Sequence, residues 1–406
     1  MNIKKYIFQI WPILLLGFFV ILLFLTNYRP GTILSGWDNL HPEFDFGLNI
    51  KRSIFAVWQE YQGLGLLGGM AHSTDLLRQL FLLFLSLFLP IDSLRYIWTF
   101  LMLFVGSTGA YFLIKSTTSS TSTTDTTGGQ ARDTRDTLDT RDTSKIIPFL
   151  GATFYLLNLS TVQMFYVPFE SFIGFFGFLP WLLWACLAYY PAPSRKHLIF
   201  LVLVLLLATP AWYLQTVFIV FMLALSIILS PFIFNNELRI KNYELRDEKT
   251  LLLTSYFLLL KRWFSANIST EKLTKLLKLY SIIFLINSFW LLPAAYFTIT
   301  NSQVNLNSKI NQMATGVIFA QNKEFGTLPD VMLLKGFLLN GVDPNSKGVV
   351  TYMLATWRGH LANPFVVLIG FLLFAIVFLG FIKAIKSKNA ALRGFSFLFI
   401  FSFIAL

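Results

Sequence analysis

The chain has 406 residues, 55% of them hydrophobic and only 13% charged, and its mean hydropathy is +0.65. A soluble domain carries about a quarter charged residues, so this composition excludes an ordinary soluble enzyme and describes a chain built for lipid. The net charge of +12 fits the lysine and arginine excess of inward-facing membrane loops rather than a nucleic-acid binder, and the single Cys186, inside an apolar run, excludes a disulfide framework.

Lys4 and Lys5 precede an uncharged stretch, Tyr6 to Tyr28, that is too long for a signal peptide and lacks a small-residue cleavage site, so it is expected to remain as the first span. Further uncharged windows predict spans at 96–114, 146–168, 171–191, 198–209, 211–231, 279–296 and 364–382, with a ninth starting near Phe395. Thr209-Pro210 is the natural break inside the long run from Leu198 to Asn236. The ninth window is short, which predicts that the chain is the N-terminal part of a longer protein. The fold class expected is an all-α polytopic membrane bundle of about nine spans.

The run Gln79–Ile91 is the difficult segment: at 1.5 Å per residue it reaches only about 20 Å of a roughly 30 Å hydrocarbon core. If it does not cross, the side holding Lys4 and Lys5 carries 22 of the 32 Lys and Arg; if it does, that side carries 8. The positive-inside rule selects the first arrangement. The segment is then a re-entrant or interfacial helix, and loops 29–95 and 297–363 face outward. Inside lie 116–144, a Thr/Ser/Asp-rich stretch with an RDT-type triplet at 132–143 that reads as a disordered linker, and 236–246, which reads as a short solvated helix. Residues 251–260 are too short to span and are expected to lie in the interface.

The first outer loop concentrates chemistry. Asp38, His41, Glu43 and Asp45 place three carboxylates and a histidine within eight residues. Such groups either keep the loop solvated, or one carboxylate serves as general base to an acceptor hydroxyl or sits near a phosphate-bound cation. If Leu40–Phe46 is extended, His41, Glu43 and Asp45 share a face, an arrangement compatible with a metal. Leu48–Tyr61 shows helical spacing of apolar residues and reads as an amphipathic surface helix, with Arg52 placed to hold a lipid phosphate or a headgroup. Gly63–Gly69 matches G-x-G-x-x-G but follows a helix and lacks the strand and acid of a dinucleotide site, so it is read as a turn, with His72 to Asp75 capping the next helix. In the second outer loop Arg358 and His360 stand against the last complete span, as a phosphate clamp or an interfacial anchor. The spans carry almost no ionisable groups, which speaks against an ion-coupled transporter.

Gly36-Trp37-Asp38-Asn39-Leu40-His41-Pro42, then Trp58-Gln59-Glu60-Tyr61-Gln62-Gly63-Leu64-Gly65 and the run ending at Pro90, resemble the N-terminal domain of the alpha-(1→3)-arabinofuranosyltransferases among the GT-C membrane glycosyltransferases. The resemblance is best over 30–115 and topological beyond. It implies a polyprenyl-phosphate sugar donor, a cell-envelope glycan acceptor and Asp38 as the catalytic base; the loop residues singled out above, His41, Glu43, Asp45, Arg52, Arg358 and His360, are then the candidates for contact with the substrate. It implies no nucleotide and no obligatory cofactor, with divalent metal left open, a plasma-membrane location and an outward active site. The rival class is a transporter or flippase of lipid-linked glycans, disfavoured by asymmetric outer loops and the absence of an internal repeat.

Overall fold

The computed structural model describes residues 3–36, 41–55, 58–59, 66–67, 70–122, 136–166, 168, 170–234, 269–307, 327–344 and 348–404. The chain is mostly helical. Six helices are long and apolar enough to cross a membrane: α1 (Ile3–Asn27), α4 (Ile91–Ser122), α7 (Glu170–Tyr189), α9 (Gln215–Ile233), α10 (Thr270–Leu306) and α13 (Pro364–Ile385). Among the described residues a seventh candidate is a bent pair, α5 (Asp136–Leu157) and α6 (Leu159–Tyr166), whose apolar parts meet at 42° and count as one span only if taken together. The bend has a local cause: the Asn158 side chain accepts from the Thr161 N–H at 3.0 Å and so caps α6 while ending α5.

The expected nine spans therefore become six, or seven with the bent pair, among the described residues. The other two expected windows hold shorter helices, α8 (Arg195–Leu207) and α14 (Ala390–Ile404). After α8 the backbone tightens into a 3₁₀ turn, Thr209–Tyr213, with Pro210 at its start, which is where the sequence placed the break. Linker 116–144 is entered by helix from both ends, since α4 runs to Ser122 and α5 begins at Asp136; the residues between them, like 236–246 and 251–260, lie outside the described residues. α10 continues to Leu306, nine residues past the expected start of the second outer loop.

The bundle is held by close backbone approach, as expected where lipid removes the hydrophobic drive between helices. α4 and α7 run parallel, Met102 meeting Gly177 and Phe112 meeting Trp184, with glycines at the contact. A Cβ on Gly106 would lie 2.8 Å from the Phe176 carbonyl oxygen, and one on Gly177 would lie 2.7 Å from Met102 Sδ. The Trp181 indole N–H donates to the Val105 carbonyl across the same seam at 2.8 Å. The largest core joins α7, α8, α9 and α10 around the fully buried Trp212 and Trp290; a second joins α1, α4, α5 and α7.

One end of the bundle carries the remaining elements. They are a 3₁₀ turn at Pro42–Phe44, α2 (Phe46–Phe55), a two-residue ladder of β1 (Trp58–Gln59) with β2 (Leu66–Leu67), and α3 (Met70–Ser86). The surface helix expected over Leu48–Tyr61 thus stops at Phe55, because Trp58 and Gln59 pair with Leu67 and Leu66. α3 packs against α2, α10 and the 209–213 turn. The second loop builds α11 (Leu328–Met332), a 3₁₀ turn at Phe337–Asn340, the hairpin β3 (Val342–Pro344) with β4 (Val350–Tyr352), and α12 (Ala355–Leu361), around a small core of Leu338, Leu339 and Leu354.

Candidate functional site

The site grows out of the head of α4. Asp92 Oδ2 accepts from the Gly31 N–H at 2.6 Å, and the Tyr96 hydroxyl lies 2.9 Å from Thr32 Oγ1, so the segment leaving α1 is fastened to the first turns of α4. One turn on, Arg95 Nε donates to Glu43 Oε1 at 3.0 Å. Gly31, Thr32 and Glu43 are therefore all held to the first turns of α4. Asp38 itself, the expected base, lies outside the described residues.

Pro42 starts a 3₁₀ turn over Pro42–Phe44 in place of the extended backbone that would have put His41, Glu43 and Asp45 on one face, and Asp45 is turned away from the other two. Glu43 turns inward and is 3% exposed; His41 Nδ1 lies 3.2 Å from its Oε1. Asp45 points the other way: its Oδ1 accepts from the Leu48 N–H at 2.9 Å, so it is the N-cap of α2, and it is exposed. His41, Glu43 and Asp45 do not form a metal face, and no group of three His, Cys, Asp or Glu among the described residues is arranged to hold an ion.

The sequence reading missed the second half of the site. α3 begins at Met70, so His72 to Asp75 lie within it rather than at its cap. Asp75 and Arg78, 2% and 1% exposed, form a bidentate pair with Nε to Oδ1 at 2.6 Å and Nη2 to Oδ2 at 2.7 Å. Gln79 Nε2 donates to Asp75 Oδ2 at 3.1 Å and its Oε1 accepts from the Ser53 hydroxyl at 3.0 Å, which ties α3 to α2 beside Arg52. A signal was available: Asp75 and Arg78, like Asp92 and Arg95, are opposite charges at i, i+3 in otherwise apolar helices.

The first half of α3 is polar on the inside and the helix is apolar on the outside. His72, Asp75, Arg78 and Gln79 are buried, whereas Leu77, Leu80 and Phe84 form an exposed stripe, with Phe84 58% exposed. That is the reverse of a helix on a water-soluble domain.

Burial alone would raise the Glu43 pKa, but the Arg95 guanidinium, by charge and hydrogen bond, the field of its own peptide N–H and the more distant Arg78 outweigh it, so the carboxyl is held below the ordinary value of 4.5. His72 is held below its ordinary 6.5 by burial and by the charge of Arg52, against the opposing pull of Asp75. The site thus gathers two buried pairs, Glu43–Arg95 and Asp75–Arg78, with the charge of Arg78 also felt at Glu43 and with Arg52 beside a histidine biased to neutrality.

Arg358 and His360 stand apart from it. Arg358 Nη1 donates to the Leu339 carbonyl at 3.0 Å and to Asn340 Oδ1, and its guanidinium lies 3.9 Å from the centre of the Tyr352 ring. It fastens the 3₁₀ turn and hairpin of the second loop to α12. His360 is exposed and meets Trp357 edge-on at 5.7 Å. Among the described residues no hydrogen bond, ion pair or ring contact joins either to the first-loop network. Compared with family models, characterised proteins and solved structures, the chain matches none.

Proposed function

We propose that the chain is a membrane glycosyltransferase that moves a sugar, arabinofuranose by the resemblance of its first loop, from a polyprenyl-phosphate donor to a cell-envelope glycan on the outer face of the plasma membrane. The observation that carries this reading is the buried network of Glu43–Arg95 and Asp75–Arg78, gathered at one end of an apolar bundle behind a helix whose exterior is greasy. Ionised groups at such a place are costly to keep and are expected where a polar, charged substrate must be handled next to lipid.

In this reading α8 extended by the 209–213 turn, together with α14, brings the traverses to nine, the N-terminus is cytoplasmic, and 29–95 and 297–363 face outward. The reading is supported by the charge distribution and by the way the ends of α1, α4, α7 and the 209–213 turn meet the first-loop elements. Asp38, three residues before His41 in the chain, takes the proton from the acceptor hydroxyl as that oxygen attacks the anomeric carbon. The bond from that carbon to the phosphate oxygen breaks, and the lipid phosphate leaves with the electron pair. Arg52, Arg78 and Arg95 supply the field that stabilises it. Arg358 is occupied in holding its own loop and serves the architecture of the second outer loop.

The test is transfer of label from a polyprenyl-phosphoryl arabinofuranose by the purified full chain. Asp38→Asn should lower turnover about 10²–10⁴-fold with donor affinity little changed. Wild-type protein that moves the lipid-linked sugar across a vesicle membrane without transferring it sinks the enzyme and favours the transporter.

A further inference from the structure

Glu43 carries two unlike oxygens. Oε1 accepts from Arg95 Nε at 3.0 Å and faces His41 Nδ1 at 3.2 Å, while Oε2, equally buried, accepts a hydrogen bond from no described residue. The other buried carboxylate of the network is different: Asp75 receives Arg78 on Oδ1 and both Arg78 and Gln79 on Oδ2. A charged oxygen has lone pairs for two donors, and burying it without one is costly, so a carboxylate oxygen left this way beside the fully paired Asp75 marks a place where something else donates.

We infer that Oε2 of Glu43 is a ligand-contacting atom, which takes a hydrogen bond from a hydroxyl of the donor sugar. This rests on the glycosyltransferase reading. The surroundings select the donor. A metal cation here would sit among the guanidinium groups of Arg95 and Arg78, and a phosphate would meet the carboxylate's own charge; a neutral hydroxyl meets neither objection. The same guanidinium groups keep the carboxylate ionised and make it a poor proton acceptor, so Glu43 holds the sugar and the base remains Asp38.

Two probes separate the sugar from the lipid phosphate: farnesyl-phosphoryl arabinofuranose and farnesyl phosphate. With the full chain in detergent, Glu43→Gln should weaken binding of the first about ten- to hundredfold, as loss of a charge-assisted hydrogen bond predicts, and leave binding of the second no weaker. Should the variant be unstable because Arg95 has lost its counter-charge, the double variant Glu43→Gln/Arg95→Gln removes that charge; compared with Arg95→Gln alone it should bind the sugar-bearing probe more weakly and farnesyl phosphate equally well. Equal weakening of both probes in folded variants makes Glu43 a purely structural residue and overturns the inference. A large fall in kcat at unchanged affinity makes it the base and overturns it too. If wild-type protein transfers the sugar while Glu43→Gln binds both probes normally, this inference alone fails; if wild-type protein binds and transfers neither, the enzymatic reading fails with it.

Discussion

Arg95 on α4 and Glu43 in the first loop are joined at 3.0 Å across 52 residues of sequence, with side chains 4% and 1% exposed. Such a pair does not add much stability over an apolar replacement, because both ions lose their water, but removing one member strands the other. Arg95→Met should therefore destabilise the protein by about 3–5 kcal/mol, seen as a clear drop in melting temperature in detergent. The double replacement Glu43→Gln/Arg95→Met should recover much of it. A double variant no more stable than the single one would mean that the pair is not coupled as described.

Acid should unfold the head of the molecule in two stages. His72 is held below 6.5, so the unfolded chain takes a proton before the folded one does, and stability that is complete above that pH declines below it. Glu43 is held below 4.5, so its contribution is present above that value and is lost as pH falls through the lower native one. Melting curves across pH should show the first decline vanish in His72→Gln and the second shrink in Glu43→Gln. A profile flat between 6.5 and 5 in wild-type protein rules out the first stage.

The outer stripe of α3 should face hydrocarbon. With Cys186 buried and replaced by serine, cysteine at Leu80 or Phe84 in lipid nanodiscs should resist a charged maleimide and accept an uncharged, lipid-soluble one. Cysteine at the exposed Val349 in the hairpin should accept both. Charged reagent modifying position 84 as quickly as position 349 would place α3 in water.

Gln163 on α6 fastens the second loop: its Nε2 donates to the Leu334 carbonyl at 2.8 Å and its Oε1 accepts from the Gly336 N–H at 2.9 Å. Leu334 has φ of 56°, a strained value for a residue with a Cβ, so the chain there relies on what holds it. Gln163→Leu removes both bonds and should cost about 1–3 kcal/mol, confined to that region. Hydrogen exchange should speed up across 327–344 and stay unchanged in α4 and α7; uniform acceleration would contradict a local fastening.

What the sequence made legible was governed by charge and by the longest range at which its signals act. Uncharged windows located the apolar helices, and Thr209-Pro210 marked a break, because span length and proline chemistry are local. The same bookkeeping hid the site. Asp75 reads from sequence as a helix cap, and Arg78 and Arg95 enter only as charges of the outer loop, since a window scan cannot tell a charge facing water from one facing a partner 52 residues away. Asp45 was grouped with Glu43 by spacing alone, whereas Pro42 and the start of α2 turn the two apart. The helix drawn through Trp58 had the right periodicity and was ended by a pairing with Leu67 that periodicity does not contain. Arg358 offered two readings from sequence, and its neighbours Leu339 and Asn340 favour the architectural one.

The helix Pro364–Ile385 has 22 residues and no buried part in its apolar window, and its neighbours are α14 and the second-loop helices α11 and α12. At 1.5 Å per residue it is about 33 Å long, close to the thickness of a bilayer's hydrocarbon. With so little protein against it, its tilt is set by the membrane: a thinner bilayer lays it over and a thicker one stands it upright. α12 is joined to it by only Ala362 and Asn363, so the second loop turns with it. The span is in effect a gauge of bilayer thickness with that loop as its pointer, and the protein's behaviour should depend on the acyl-chain length of the lipid in which it is reconstituted.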